Sequence, residues 1–260
     1  MSTVSGFDAS KPNVARVYDY WLGGKENFAA DRRLAEEITR LNPDAPGMAL
    51  DNRAFITRAV TWAAGQGVTQ FIDIGAGLPT HPAVHETARA LQPDARIAYV
   101  DNDPVVLVHA AALLKAPGVV TVNADLRDPA AVLASTELGQ LIDLREPACV
   151  LLASVLHFFA ADQAREITAG FTRPLAAGSI VVISASDATP ELNAKVPAYT
   201  AAQLWNHGKD TFRSFFDHAG LELIDPPGVT TARSWRAGMP DPKLPVGGAW
   251  MDAAAGRKPA

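Results

Sequence analysis

The sequence has little cysteine, no concentration of basic charge and no long hydrophobic run, and each shortage excludes something. One cysteine, Cys149, occurs in 260 residues, so no disulfide can form within the chain, and the expected compartment is a reducing cytoplasm. That thiol sits in an apolar run and reads as a small buried hydrophobe. No run of Lys or Arg is present and the formal net charge is −5, which argues against a nucleic-acid backbone or an anionic membrane as a partner. The apolar stretch from Ala148 to Ala161 is too short to span a bilayer and is interrupted by Ser154 and His157. The opening MSTVSGFDASK lacks the apolar core of a secretory signal. Metal-ligand spacing is missing as well: His81 and His85 stand four apart without the glutamate of H-E-x-x-H, and His109, His207 and His218 have no partners in sequence. There is no internal repeat and no low-complexity block.

What remains is a chain that is 48% hydrophobic, enough for a sizeable core in one large domain. The first fifty residues read as helical. Asp31 is placed to cap a helix carrying Leu34, Ile38 and Leu41, and NPDAPG (residues 42–47) breaks it. A second helix is expected over Asn52–Ala64, with Ile56, Val60 and Ala63 on one face and Gly65 and Gly67 at its end. From Val68 the rhythm changes. TQFIDI, ARIAYVD, VVTVNAD, ACVLLASVLHFF and GSIVVIS each contain a short apolar strand. Helices intervene, with Val84, Ala88 and Leu91, then Leu107, Ala111 and Leu114, then Ile167 and Phe171 facing inward; Asp103 and Pro104 open the second of these as N-cap and N1. Strands alternating with helices predict a doubly wound, mostly parallel sheet covered on both faces. The tail departs from the alternation: a helix with Phe212, Phe215, Phe216 and Ala219, a sixth strand, a proline stop, a loop at MPDPKLPVGG and a final strand near Ala249–Ala255.

In such a sheet ligands bind beyond the carboxyl ends of the strands. Gly75 and Gly77 fall just after the first strand, where glycine lets the backbone turn and approach a ligand. Asp101 ends the second strand, placed to accept both hydroxyls of a ribose, and Asp125 ends the third, beside the same crevice. The loop reads D-x-G-x-G, with Asp73 ahead of the glycines and Pro79-Thr80 where a dinucleotide fingerprint has its third glycine. A pyrophosphate needs open N–H groups at the helix start; Pro79 removes one and Asp73 adds negative charge. A ligand with a cationic amine and sulfonium suits this loop better, and a nicotinamide reductase is disfavoured, also because no Tyr-x-x-x-Lys pair is present.

FIDIGAG, YVDNDP and NADLRDP, in that order, resemble the glycine, acidic and adenine-binding motifs of class I S-adenosylmethionine-dependent methyltransferases. NVARVYDYWLGGKENFAAD (residues 13–31), QFIDIGAGLPT, YVDNDPVVL and SVLHFF are similar to an uncharacterised actinobacterial group of S-adenosyl methyltransferases, over nearly the whole chain. The resemblance implies a Rossmann-like seven-stranded sheet with an antiparallel C-terminal hairpin. It implies an N-terminal helical lid over residues 1–50 and a methyltransferase domain over 51–260. The cofactor it implies is S-adenosyl-L-methionine, held by Tyr18, Tyr20, Asp73, Gly75, Ala76, Gly77, Asp101, Asn102, Asp125, Leu126 and Ser154, and the acceptor a small molecule. Two residues apart on a helix do not share a face, so one of Tyr18 and Tyr20 is expected to point inward. His157 follows the fourth strand and is a candidate general base; alignment of the reactants without an obligatory base is the competing expectation. A module that holds S-adenosyl ligands without turnover is the alternative function, since a fold does not fix an activity. The acceptor, the methylated atom and the oligomeric state are not legible in the sequence.

Overall fold

The computed structural model describes residues 8–188, 201–236 and 251–260. Its centre is one sheet. β1 (Gln70–Ile74), β2 (Arg96–Asp101), β3 (Val119–Asn123), β4 (Cys149–Ala153) and β5 (Ile180–Ser186) pair in parallel. β6 (Glu222–Leu223), β7 (Thr230–Thr231) and β8 (Met251–Arg257) close the sheet, with β8 antiparallel to β5. The order is β3-β2-β1-β4-β5-β8-β6. β6 and β7 lie along the same flank of β8, opposite Gly256–Arg257 and Asp252–Ala253 respectively. Between them Pro226 and Pro227 have no N–H to give to a ladder. One edge strand is thus split in two, and the sheet has the seven positions expected. β1 and β4 are buried along their whole length, Cys149 included; strands covered on both faces have no polar alternation to show.

Chain order places α1 (Val14–Trp21) and α2 (Ala29–Leu41) ahead of the sheet. Next come α3 (Ala45–Gly65), α4 (Val84–Arg89) and α5 (Pro104–Leu113), which cover one face. α6 (Pro129–Leu133), α7 (Thr136–Gly139), α8 (Ala161–Thr172) and α9 (Lys209–His218) cover the other, with Phe212, Phe215 and Phe216 of α9 fully buried there. α1, α2 and the start of α3 share a small core of their own, made by Val17, Leu34, Ala35, Ile38 and Ala45. No helix among the described residues is long and apolar enough to cross a membrane.

Several local expectations are corrected. Asp31 is not the N-cap of α2; Phe28 is, and Asp31 sits three residues on, its Oδ2 accepting the Phe28 N–H at 2.7 Å. It is fully buried because it also takes the Asn13 N–H and pairs with Arg16 Nε at 2.8 Å. A carboxylate with three donors serves better as a junction than as a cap. α3 begins at Ala45 rather than Asn52, since Pro46 lies in the first turn, where its missing N–H costs nothing. The helix therefore runs unbroken through residues 50 and 51. Leu114 is buried as expected, but the rest of the α5 stripe is Val106 and Ala110, each one residue before the expected Leu107 and Ala111, and Ala111 is exposed. Leu107 and Ala111 are apolar and so are the residues on either side of each, so periodicity alone could not choose the face. Leu41 and Leu91, at helix ends, are half exposed. The last strand is two residues later than expected, at Met251–Arg257, and the loop expected over MPDPKLPVGG lies outside the described residues.

Candidate active site

The chain turns from β1 to β2 and β3 on one side, and to β4 and β5 on the other, so β1 and β4 flank the switch point of the sheet. Above their carboxyl ends is a cavity of about 380 Å³, roofed by α1 and the start of α3. Its floor is the loop after β1. Gly75 and Ala76 donate N–H groups to Val100 O at 2.8 and 3.1 Å, which folds the loop over the end of β2. Both glycines have positive φ, +68° and +65°. They differ in purpose: a Cβ on Gly75 would overlap Val155, whereas one on Gly77 would meet nothing within 4 Å. Gly75 is required by packing, and Gly77 leaves the backbone open to the cavity.

Asp101 fixes the turn from β2. Its Oδ2 accepts the Gly77 N–H and its Oδ1 the Asp103 N–H, each at 2.9 Å. Burial raises its carboxyl above the usual range, and these N–H groups pull the other way. Asp73 is different. It lines the cavity, is 7% exposed, and takes no hydrogen bond from any described residue. Burial raises its pKa to about 6; Arg53 opposes the shift and Asp101 adds to it.

Ala76, Asn102 and Ser154 also line the cavity. Tyr18 does so and Tyr20 does not: the Tyr20 hydroxyl turns to Glu36 at 3.1 Å on α2, as helical spacing requires. Asp125 and Leu126 stay outside the lining. Asp125 is occupied by the Arg127 guanidinium, which lowers its pKa, with an added hydrogen bond from Asn102. Leu126 packs beneath the loop, its Cδ2 3.8 Å from where a Gly75 Cβ would stand.

Ser154 holds a left-handed backbone, φ 60°, a conformation few non-glycine residues adopt. Its N–H reaches Ser184 Oγ at 3.0 Å. That hydroxyl donates to Asn52 Oδ1 at 2.6 Å, Asn52 Nδ2 donates to the Tyr18 hydroxyl at 3.0 Å, and Tyr18 donates to Ala49 O at 3.0 Å. A continuous relay therefore joins the turn after β4 to α1. A second tie is Asn13, the N-cap of α1, whose Nδ2 donates to Asp103. Asn52, Ser184 and Arg53 were not expected from the sequence. Asn52 had a visible signal: it stands four residues before Ile56 on the apolar stripe of α3, where a buried amide needs partners.

The YDYWLGGKENF glycines have a local reason. Asp19 is buried and accepts the Glu26 N–H at 3.0 Å and Asn27 Nδ2 at 2.8 Å. A Cβ on Gly24 would overlap this carboxylate, and Gly23, at φ 77°, makes the preceding turn.

His157 lies in a short 3₁₀ turn after β4, buried, with its pKa lowered to about 3 by desolvation and then by His207. Its Nδ1 accepts the Ser186 N–H over a long 3.4 Å, which assigns the ring proton to Nε2. The ring lines the cavity. Among the described residues no His, Cys, Asp and Glu cluster could hold a metal ion.

Residues 2–259 match the family model described as S-adenosyl methyltransferase. A crystal structure from Thermobifida fusca YX, of a protein itself only inferred to be a methyltransferase, is 34% identical with TM-score 0.90, covering 98% of both chains. A DUF574 family protein from Streptomyces avermitilis is 33% identical with TM-score 0.89, covering 97% of this chain and 99% of its own. Human N-acetylserotonin methyltransferase in complex with SAM shares the fold, at 15% identity and TM-score 0.53 over 96% of this chain and 63% of its own. No curated protein matches the sequence. With a family model spanning almost its full length, the chain belongs to the S-adenosyl methyltransferase family and is a methyltransferase that uses S-adenosyl-L-methionine.

Proposed function

We propose that the cavity over β1 and β4 holds S-adenosyl-L-methionine against a small-molecule acceptor, and that transfer relies on alignment rather than on an obligatory base. The observation that carries this is Asp73: a carboxylate buried, without a hydrogen-bond partner among the described residues and beside an open glycine backbone, suits a cationic group. Gly77 leaves room for a ligand where a side chain would intrude, and a cavity of about 380 Å³ has the size of a small-ligand site. When bound, the cofactor supplies a methyl group activated on a sulfonium.

The chain's own residues would then act as follows. Asp101, pre-set by two N–H groups, accepts ribose hydroxyls on its remaining lone pairs. Asp73 meets the amino end of the methionyl tail, and Arg53, which also lines the cavity, meets its carboxylate. Gly75, Ala76, Gly77, Asn102 and Ser154 contribute backbone and side-chain contacts. Tyr18 on α1 closes the roof, with α1 and α2 acting as a lid that excludes water. Asp125 and Leu126 support the loop from outside the cavity, and Tyr20 holds α1 to α2. His157 offers Nε2–H as a neutral donor; with Nδ1 engaged it has no lone pair for a proton, which is why alignment is favoured over a base. The lone buried thiol and the absence of basic runs agree with work in the cytoplasm on a small molecule.

Titration calorimetry tests the assignment. The protein should bind S-adenosylhomocysteine and bind NAD far more weakly. Asp101→Ala should weaken S-adenosylhomocysteine at least tenfold, a charge-assisted bond being worth about 1.5–3 kcal/mol. A preference for NAD, or unchanged affinity in a folded Asp101→Ala protein, would refute it.

A further inference from the structure

We infer that the methyl acceptor is an uncharged, largely apolar small molecule. The inference rests on the cofactor occupying the half of the cavity over β1 and β2. The other half lies over β4, β5 and β8, and beyond Ala153–Val155 at the end of β4 its described lining is six residues: His157 and Phe158 after β4, Ser186 at the end of β5, Leu204 and Asn206 on the loop before α9, and Met251 at the start of β8. Three are hydrophobic, and Ser186 and Asn206 are neutral. His157 is neutral as well at physiological pH, because burial depresses its pKa to about 3.

The charged residues of the cavity all belong elsewhere. Asp73, Asp101 and Arg53 face the glycine loop, and Arg53 also donates to Pro82 O at 3.1 Å. Asp103 is taken up by Val105 N–H and Asn13, and Asp19 by Glu26 N–H and Asn27. A carboxylate, phosphate or ammonium on the acceptor would therefore lose its water and meet no counter-charge among the described residues that line this half, which is strongly unfavourable. The half-site is also held in shape. Trp205 N–H donates to His157 O at 2.7 Å and His207 N–H to Ser186 O at 3.2 Å, which fastens the Leu204–Asn206 loop to the ends of both β4 and β5. A pocket fixed in this way selects by shape and polarity and cannot recruit a distant charge by collapsing.

The test uses the full chain saturated with S-adenosylhomocysteine and three fluorescent probes that share a naphthol ring: 6-methyl-2-naphthol, 6-hydroxy-2-naphthoate and 6-(aminomethyl)-2-naphthol, the last cationic at pH 7. The methyl probe should bind at least tenfold tighter than either charged one. Leu204→Lys, a loop substitution that adds a cation to the neutral half, should shift the naphthoate-to-methyl affinity ratio at least tenfold towards naphthoate. Tighter or equal binding of a charged probe by the unmodified chain overturns the inference, as does binding of none of the three. Failure of S-adenosylhomocysteine to saturate the protein beforehand would instead overturn the cofactor assignment, so the two failures are distinct.

Discussion

Asp73→Asn should strengthen the ligand-free protein and weaken its hold on S-adenosyl-L-methionine, two effects of opposite sign from one atom. The carboxylate is 7% exposed with no hydrogen-bond partner among the described residues, and its pKa is raised to about 6 from 3.8. At about 1.4 kcal/mol per pH unit, keeping it ionised at pH 7 costs the folded chain up to about 3 kcal/mol. A raised carboxyl pKa gives stability that is fully present below pH 3.8 and lost as pH rises through 6. The gain from Asn should therefore be largest at pH 7 and fade on acidification. Binding runs the other way. A positive charge about 5 Å from the carboxylate, at an effective dielectric constant of about 20, gains about 3 kcal/mol. Losing most of that weakens the cofactor by about 10- to 150-fold. Affinity of the unmodified protein should also fall about tenfold between pH 7 and pH 5 as the ionised fraction drops. Asp73→Asn should lose most of that slope, and what remains would report Asp101, whose carboxyl burial also raises. Thermal unfolding of the ligand-free protein and calorimetry across pH provide both readouts. A variant that is destabilised at pH 7 without ligand, or that binds as tightly as the parent, would refute the reasoning.

Three other outcomes are expected. Gly24→Ala should lower stability by about 1–3 kcal/mol, because the new methyl overlaps an Asp19 carboxylate already fixed by two donors; chemical denaturation measures it, and a neutral result would mean that Asp19 can move. Asn52→Leu should cost about 1–3 kcal/mol for the unpaired groups it leaves on Ser184 and Tyr18, and should expose α1 to faster amide exchange than α8; equal exchange in both would show that the relay does not hold the roof. His157→Asn, which can still accept from Ser186 and donate to the cavity, should keep kcat within about tenfold, well short of the loss of a general base. In the parent enzyme kcat at saturating cofactor should show no acidic limb between pH 6 and 7; such a limb, abolished by His157→Asn, would make the ring a base after all.

The parts of the site that were legible in the sequence are those set by backbone geometry. D-x-G-x-G after an apolar strand places Gly75, Gly77 and Asp101 together because strand, turn and next strand are linked through neighbouring segments: Gly75 and Ala76 bond to Val100, and Gly77 to Asp101. Asp103 as N-cap with Pro104 following it was equally local, and its side chain does accept the Val105 N–H. What could not be read was set by tertiary contact. Asp31 satisfies the pattern of a cap, but Arg16 and Asn13 take it for a buried junction between α1 and α2. Two positions of the α5 stripe, Val106 and Ala110, lie one residue before the expected ones because PVVLVHAAAL is apolar around most of its circumference. Asn52 and Ser184 are 132 positions apart in sequence and meet only when α3 crosses β5. Asp125 is the local exception: its carboxylate, expected to hold the cofactor, is engaged by the guanidinium of Arg127 two residues on.

Three locally unfavourable features border this cavity. Ser154 has a left-handed backbone without being glycine, Asp73 is an ionisable group buried without a hydrogen-bond partner among the described residues, and His157 is a ring whose protonation burial resists. The first two lower the stability of the ligand-free chain at pH 7, by about 1–3 kcal/mol in the case of the backbone strain, and the depressed His157 does so only in acid, below the ordinary imidazole pKa. None would persist in a chain selected for stability alone, since an apolar or glycine substitution removes each of them. Their positions give the physical reason for keeping them. Ser154 aims its N–H at Ser184 to start the relay to α1, Asp73 puts a carboxylate beside the glycine loop, and His157 ties the turn after β4 to the end of β5. The rest of the sheet, with β1 and β4 buried end to end, supplies the stability against which these costs are carried.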